Sequence, residues 1–278
     1  MKHAIMVIGY GNEAPILTQC IKILGDKDID FFIHWDKRYK LPNLKVNRKN
    51  IGKINFIQNR VAVKWGSYSQ IEAELILFEA VKKRNNYDYV HLISANDLPL
   101  MTVDYFKSYF SNKDYVGFSS ELTQDDINRI AYYYPNNMDF RKFKYIKRVW
   151  DIGNKLLNIN RVSKYPHLHL RKGTNWFSMR EKRLEEILSF ENLSLFRNSF
   201  CADELLVQTI LSDLGKINTI SDDNEQASRY IDWNRGTPYT FNVNDINELK
   251  EVVNTKYAFV RKIVDPKIGK EIFKEILK

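Results

Sequence analysis

The sequence predicts an α/β fold in which helices cover both faces of a mostly parallel central sheet. In the first half of the chain, short continuous apolar runs alternate with segments whose apolar residues recur at helical spacing. Such runs are typical of buried parallel strands, and their alternation with helices produces a parallel sheet. Neither an internal repeat nor a linker rich in Gly, Ser or Pro divides the chain, so we expect one domain over residues 1–278.

The predicted elements of the first half follow one another from the N-terminus. In chain order they are the strand HAIMVIGY, the helix EAPILTQCIKIL, the strands DIDFFIHWD and KINFIQ, the helix SQIEAELILFEAVKK, the strand YDYVHLIS and the helix TVDYFKSYFS. The second half is less regular. It contains a predicted hairpin, LHLRKGTNWFSM at 168–179, and a predicted helix after Ala202.

The composition narrows the class of protein. With 44% hydrophobic and 28% charged residues, the chain is neither disordered nor fibrous. The net charge of +9 predicts an anionic partner, but the basic residues are dispersed without a nucleic-acid-binding motif, so we expect no nucleic acid. Cys20 and Cys201 lie in apolar settings, which favours a reducing compartment. Because no apolar run reaches the roughly 20 residues of a membrane span and no signal peptide is visible, we expect a cytoplasmic protein.

The segment GYGNEA, after the first strand, supports a rival hypothesis. Gly9, Gly11 and Ala14 match the G-x-G-x-x-A pattern of dinucleotide-binding folds, and Asp36 closes the second strand where a ribose-binding acid would stand. The motif is short and often occurs by chance. It nevertheless leaves an NAD(P)-dependent oxidoreductase as the alternative function.

Polar side chains follow the second, third and fourth predicted strands. The segment His34–Arg38 combines an acid with two bases, and Val63–Ser69 places a tryptophan beside a glycine and hydroxyls. Ser94–Leu100 ends the fourth strand with Asn96 and Asp97. Because ligands of open parallel sheets bind outside the carboxyl ends of the strands, we expect these residues to line one crevice.

Two segments near the C-terminus add candidate binding residues. Arg261 and Lys262 are adjacent bases in an apolar context and could bind a diphosphate, although two solvated charges would explain them equally well. Tyr230, Asp232 and Trp233 combine ring faces with a carboxylate, the groups that bind the apolar and hydroxyl sides of a sugar.

These segments together resemble the core-2/I-branching family of glycosyltransferases, which includes β-1,6-N-acetylglucosaminyltransferases and peptide xylosyltransferases. The resemblance runs from about His3 to Lys262. Its most specific parts are S-x-x-DLPL, ADE and YIDW, and the other segments in the ordered set are HAIMVIGYG, FFIHWDKR, WGSYSQIEAEL, GTNWFSM and FVRK. It implies a GT-A-like fold with a Rossmann-type sheet, a nucleotide-binding half (1–115), and an acceptor-binding and catalytic half (116–278).

The resemblance also implies a reaction and the residues that perform it. The reaction is an inverting, metal-independent transfer of a sugar, most commonly N-acetylglucosamine, from a UDP-sugar to a hydroxyl of a glycan acceptor. Glu204, the glutamate of ADE, is the implied general base, and no cofactor or metal is implied. The implied donor-binding residues are Asp36, Trp65, Asp97, Arg261 and Lys262, and the implied acceptor-binding residues are Asn175, Trp176, Trp233, Glu121 and Arg129.

The chain departs from the family at two motifs and in its composition. Ala95-Asn96 replaces the G-x of S-G-x-D-L-P, and Val260 and Ile263-Val264 differ from F-A-R-K-F-D. The cysteine-rich pattern and membrane anchor of the animal Golgi members are missing. We therefore expect a bacterial relative that acts in the cytoplasm.

Adjacent carboxylates and a basic segment complete the predictions. Acidic residues in a first turn stabilise a helix through its free N–H groups, so we expect Asp203 to cap the helix and orient Glu204 towards the acceptor.

In bacteria, glycan acceptors are often carried on a lipid diphosphate. The basic segment Phe140 to Arg148 is the candidate for contact with such an acceptor or with the anionic inner face of the plasma membrane, and a solvated helix face is the alternative.

Overall fold

The central element of the computed structural model is a mostly parallel five-stranded sheet in the order β3-β2-β1-β4-β6. The structure describes residues 1–47, 49, 51–84, 86–119, 121–142, 144–216, 220–274 and 276–277. Its strands are β1 (His3–Gly9), β2 (Ile29–Trp35), β3 (Ile54–Phe56), β4 (Tyr89–Ser94), β5 (Leu98–Pro99), β6 (Phe177–Arg180), β7 (Arg229–Ile231) and β8 (Phe259–Arg261). The first four strands of the sheet are parallel, and β6 runs antiparallel to β4. The predicted α/β fold is confirmed.

Helices cover both faces of this sheet. Its α-helices are α1 (Pro15–Ile23), α2 (Ser69–Lys82), α3 (Val103–Tyr109), α4 (Gln124–Ala131), α5 (Lys144–Leu156), α6 (Arg183–Leu188), α7 (Asp203–Ile210), α8 (Asp223–Gln226), α9 (Ile246–Glu251) and α10 (Pro266–Ile272). Short 3-10 helices lie at Arg161–Lys164, Leu193–Phe196, Ser212–Lys216 and Val243–Asp245. In the ranges that the structure describes, no helix combines the length and apolar character needed to cross a membrane.

Successive residues of β1 supply the two halves of the core, because side chains alternate across a strand. Ile5 and Val7 pack on the face covered by α1, α3 and α10. Ala4 and Met6 pack on the opposite face, against α2, α6 and α7. Every one of these β1 side chains is fully buried, as expected for a strand with helices on both sides.

A smaller sheet, in the order β5-β8-β7, lies beside the central sheet and is tied to it by a buried arginine. The guanidinium of Arg229 in β7 donates to the main-chain oxygens of Leu92 in β4 and Phe177 in β6, at 3.2 and 2.6 Å. Burial lowers the pKa of Arg229 to about 9. The end of β8 lies at the carboxyl end of β4, where Arg261 contacts Ser94 and Asp97.

The predicted hairpin at 168–179 is wrong. Only its last residues join a strand, which pairs with the edge of β4. The preceding residues run beside residues 117–119, where Ser119 N–H donates to the carbonyl of Lys172 at 2.8 Å. A Cβ on Gly173 would lie 1.9 Å from the carbonyl oxygen of Gly117, so glycine is required for this approach. The backbone groups of this segment therefore bond to a distant strand and loop, and not to a neighbouring strand of a hairpin.

Candidate active site

The carboxyl ends of the parallel strands form one edge of the central sheet, and several predicted site residues meet there. Asp97 follows β4, and Arg261 ends β8. Asn175 and Trp176 precede β6, which starts at this edge because it is antiparallel to β4. The first turn of α7 packs against Asn175. The sheet topology therefore gathers residues from both halves of the sequence.

Arg261 is held in place by the loop after β4. Its Nη1 donates to Asp97 Oδ1 at 2.9 Å and to Ser94 Oγ at 2.5 Å, and the guanidinium lies 4.4 Å from the centre of the Trp176 ring. Asp97 is buried and also accepts from Ser94 N–H. Asp97 therefore does not point freely into the crevice, as the sequence predicted, because its carboxylate is used to orient Arg261.

Lys262, the second base of the pair, lies beside Arg261 without a comparable anchor. Its main chain bonds to Tyr239 and Phe241. Across the described ranges, its ammonium has no hydrogen-bond or ion-pair partner. Lys262 is half-buried, so its charge is available to an anionic group that enters the edge of the sheet.

A buried carboxylate pair lies behind the first turn of α7. Asn175 Nδ2 donates to Glu74 Oε1 of α2 at 2.9 Å and lies 3.4 Å from Asp203 Oδ2 of α7. Asp203 also accepts from Gln70 of α2 at 2.9 Å. Glu74 Oε2 and Asn175 Oδ1 are buried and have no hydrogen-bond partner.

Both carboxyls of this pair are shifted towards their protonated forms. Burial and the negative charge of Asp203 raise the pKa of Glu74 well above its usual value, with the Asn175 amide opposing the shift. Burial and the charge of Glu204 raise the pKa of Asp203 to about 7. A proton on the pair would supply the donor that the two unpartnered oxygens lack. We therefore expect the pair to hold a proton at neutral pH.

Glu74→Gln is expected to stabilise the protein at alkaline pH. A raised pKa means that the folded chain keeps its proton when the unfolded chain has lost it, so stability is complete below the unfolded value near 4.5 and falls as the pH rises. The neutral glutamine removes this loss. The free energy of unfolding should increase by about 1–3 kcal/mol near pH 8 and by much less near pH 5.

Urea unfolding at the two pH values measures the effect. Glu79→Gln is the matched control, since Glu79 is an exposed glutamate of the same helix. An increase that was equal at both pH values would mean that Glu74 does not retain a proton in the folded protein.

Glu204, the predicted base, forms an ion pair with a predicted acceptor-site residue. Arg129 Nη1 lies 2.6 Å from Glu204 Oε2, and the Glu204 side chain is 37% exposed. Arg129 Nη2 also lies 3.3 Å from Asp126 within α4. The carboxylate is therefore both oriented by the protein and open to solvent.

The prediction that Asp203 caps α7 is wrong. The N-cap residue is Ala202, and no side chain caps the helix. Asp203 is instead directed into the protein, because Gln70 and Asn175 offer it donors there. It positions the first turn of α7 through these contacts, and Glu204, the next residue, projects to the exposed side.

Two predicted donor-binding residues already have partners. Asp36 is buried and accepts three hydrogen bonds from the side chain of Arg38, the shortest at 2.6 Å from Nη2. Trp65 is 38% exposed, with the guanidinium of Arg141 5.0 Å from its ring centre and Phe200 edge-on at 5.8 Å. A ligand that stacks on Trp65 must use its open face or displace Arg141. Trp65 thus lies beside the loop that leads into α7.

The residues of the dinucleotide motif serve the fold. A Cβ on Gly9 would lie 2.1 Å from the ring of the buried Trp35, so this glycine makes room for a core side chain. Asp36, the expected ribose ligand, is committed to Arg38. Local contacts thus account for Gly9 and Asp36, two of the residues that suggested an oxidoreductase.

The remaining predicted residues lie at different places. Trp233 follows β7, whose Ile231 pairs with Arg261, and it is 52% exposed near the same edge. Glu121 is exposed, and within the described ranges no hydrogen bond or ion pair connects it to the other site residues. Tyr230 donates to Glu248, and Asp232 pairs with Arg235. Of the predicted sugar-binding trio, Trp233 is therefore the open ring.

A family model described as Core-2/I-Branching enzyme matches residues 4–253. The match covers about nine-tenths of the chain and includes the first turn of α7, but it ends before Arg261 and Lys262. No curated protein matches the chain.

Proposed function

Because the chain belongs to the core-2/I-branching enzyme family and is therefore a glycosyltransferase, we propose that it transfers a sugar from a UDP-sugar to a glycan hydroxyl with inversion. One observation carries the proposal. A continuous series of contacts links Arg261 through Trp176, Asn175 and Asp203 to the turn that bears Glu204. This series of contacts supports our assigning a cationic group for the leaving diphosphate and a carboxylate for the incoming hydroxyl to one site.

Glu204 acts as the general base in this proposal. Inversion requires the acceptor oxygen to attack the anomeric carbon from the side opposite the departing UDP, while a base accepts the hydroxyl proton. Arg129 holds the carboxylate through one oxygen, Oε2, which leaves Oε1 for the acceptor hydroxyl. As the new C–O bond forms, the bond to the diphosphate breaks and its electron pair leaves with UDP.

Arg261 and Lys262 stabilise the negative charge that develops on the diphosphate. Arg261 is already oriented by Asp97 and Ser94, so it loses little freedom when phosphate oxygens bind. Lys262 supplies a second charge, which has no partner among the described residues. Two such cationic side chains can perform the role of a divalent metal at the leaving group, and we therefore propose metal-independent transfer.

The finer identity of the donor rests on the family resemblance, and that of the acceptor on the net charge of +9, which suits a lipid diphosphate. We propose N-acetylglucosamine as the transferred sugar and a bacterial, cytoplasmic site of action on a lipid-linked glycan. Trp233 provides an exposed ring face for an acceptor pyranose.

Thermal unfolding with a panel of nucleotides tests the function. UDP and one or more UDP-sugars should raise Tm, because a ligand that binds only the folded state stabilises it. NAD and NADP should have no effect. Stabilisation by NAD(P) without any response to UDP would replace the proposal by the oxidoreductase.

Trp65→Ala is expected to weaken UDP binding by about 1–3 kcal/mol, through the loss of base stacking on the open face of the ring. Isothermal titration with UDP measures the change. Trp233→Ala is the matched control, because it removes an equally large exposed ring that we assign to the acceptor; it should raise the acceptor KM and leave the Kd of UDP unchanged. Equal losses of UDP affinity in the two variants would contradict the separation of donor and acceptor sites.

A further inference from the structure

Helix α5 presents its apolar residues to solvent. Tyr145, Val149, Ile152 and Leu156, the apolar stripe, are 89%, 68%, 52% and 80% exposed. They are spaced three or four residues apart and so share one face of the helix. A Cβ on Gly153 would meet no atom within 4 Å, which shows that the space beside the stripe is open.

The opposite face of α5 attaches the helix to the protein through polar groups and through the half-buried Trp150, whose ring centre lies 6.1 Å from that of Tyr133. Lys147 pairs with Asp151 at 2.8 Å, and Asp151 accepts from the hydroxyl of Tyr134 at 2.5 Å. Asn154 is buried and donates to the main-chain oxygen of Tyr133 at 3.0 Å. A surface helix usually buries its apolar face against the core. In α5, by contrast, the four residues of the apolar stripe face solvent.

Basic residues border the apolar stripe. Arg148 and Lys155 are exposed and lie seven residues apart, on one flank of the helix. In the part of the chain that the structure describes, neither has an ion-pair partner. Several residues of the basic segment Phe140 to Arg148 have contacts within the protein. Phe140 is buried, Arg141 covers Trp65, and Lys147 pairs within α5. Phe143 and the side chain of Lys144 lie outside the described residues.

We propose that α5 binds the surface of an anionic phospholipid bilayer, with the apolar stripe in the headgroup region and with Arg148 and Lys155 beside the lipid phosphates. A narrow apolar face bordered by unpaired bases is characteristic of helices that lie in the plane of a membrane interface. The net charge of +9 adds long-range attraction to such a surface. The stripe lies outside the predicted catalytic residues, so this proposal does not depend on the proposed function.

Vesicle co-sedimentation with the full chain tests the proposal. The wild-type protein should bind vesicles of phosphatidylcholine containing about 30% phosphatidylglycerol, and bind phosphatidylcholine alone much more weakly. The triple variant Val149→Ser, Ile152→Ser and Leu156→Ser keeps every charge but removes most of the stripe. It should lower the partition coefficient by about tenfold or more.

Two further variants separate the contributions. Arg148→Gln with Lys155→Gln should also lower binding, by about 30-fold, because each lost charge removes about 1 kcal/mol of attraction to the anionic surface. Val243→Ser, which changes an exposed valine elsewhere, should bind as the wild type does. Unchanged Tm values establish that the variants are folded.

Other results would overturn the proposal. Undiminished binding of the triple variant would mean that the net charge alone attracts the vesicles. A wild-type chain that ignored anionic vesicles, but formed a dimer that the triple variant abolished, would assign the stripe to self-association.

Discussion

Glu204→Gln is expected to lower kcat by about 10²–10⁴-fold while leaving the affinity for UDP nearly unchanged. The glutamine amide fills the same volume and can still accept a hydrogen bond from Arg129, so the site should keep its shape. It cannot accept the proton of the acceptor hydroxyl. A rate assay at saturating donor and acceptor, together with titration of UDP, measures both quantities.

Asp203→Asn is the comparison variant for this experiment. The pKa of Asp203 is raised to about 7, by burial and by the charge of Glu204, so an uncharged asparagine resembles a form that the protein already populates at neutral pH. Its effect on kcat should be smaller. A larger loss in Asp203→Asn, with near-normal turnover in Glu204→Gln, would reverse the assignment of the base.

Lys262→Ala is expected to reduce transfer by about 10²-fold or more, whereas excess EDTA should have little effect on the wild-type rate. Among the residues that the structure describes, the ammonium next to Arg261 has no partner, and its loss would remove one of the two cations that we assign to the departing diphosphate. Lys270→Ala removes the same charge from an exposed position of α10 and serves as the control.

The charges at the sheet edge explain the expected insensitivity to EDTA. Asp97, the single carboxylate of the Asn96-Asp97 pair, already binds the cationic Arg261. The Asp-x-Asp pair Asp26 and Asp28 precedes β2, at the opposite edge, and binds Lys107. Activity that disappeared in EDTA and returned with Mn²⁺, in an enzyme that tolerated Lys262→Ala, would show that a metal stabilises the leaving group.

The sequence predicts the fold better than it predicts the partners of single side chains. Buried parallel strands such as β1 and β4 require continuous apolar runs, and this requirement is visible locally. The hairpin prediction failed because the partner of β6 is β4, far away in sequence. Local alternation contains no information about which edge a strand will join.

In the site too, the sequence indicates where residues lie but not which side chains they contact. The strand ends correctly indicated where Asp36 and Asp97 stand, but not that each carboxylate would be committed to an arginine. Glu74 and Gln70 were missed because they lie within an ordinary helical pattern, and their meeting with Asp203 depends on how α2 and α7 pack. One signal was available in the sequence: the helical pattern assigns the carboxylate of Glu74 to the buried face.

The late position of the antiparallel strand β6 in the sequence leaves one edge of the central sheet uncovered during synthesis on the ribosome. Ribosomes release the N-terminal segments first, so β1 to β4 emerge well before residues 177–180 can cover the outer edge of β4. An uncovered strand edge presents unpaired N–H and C=O groups to other chains. During synthesis, the nascent chain must therefore keep that edge from pairing with its neighbours until the last strand of the central sheet is available.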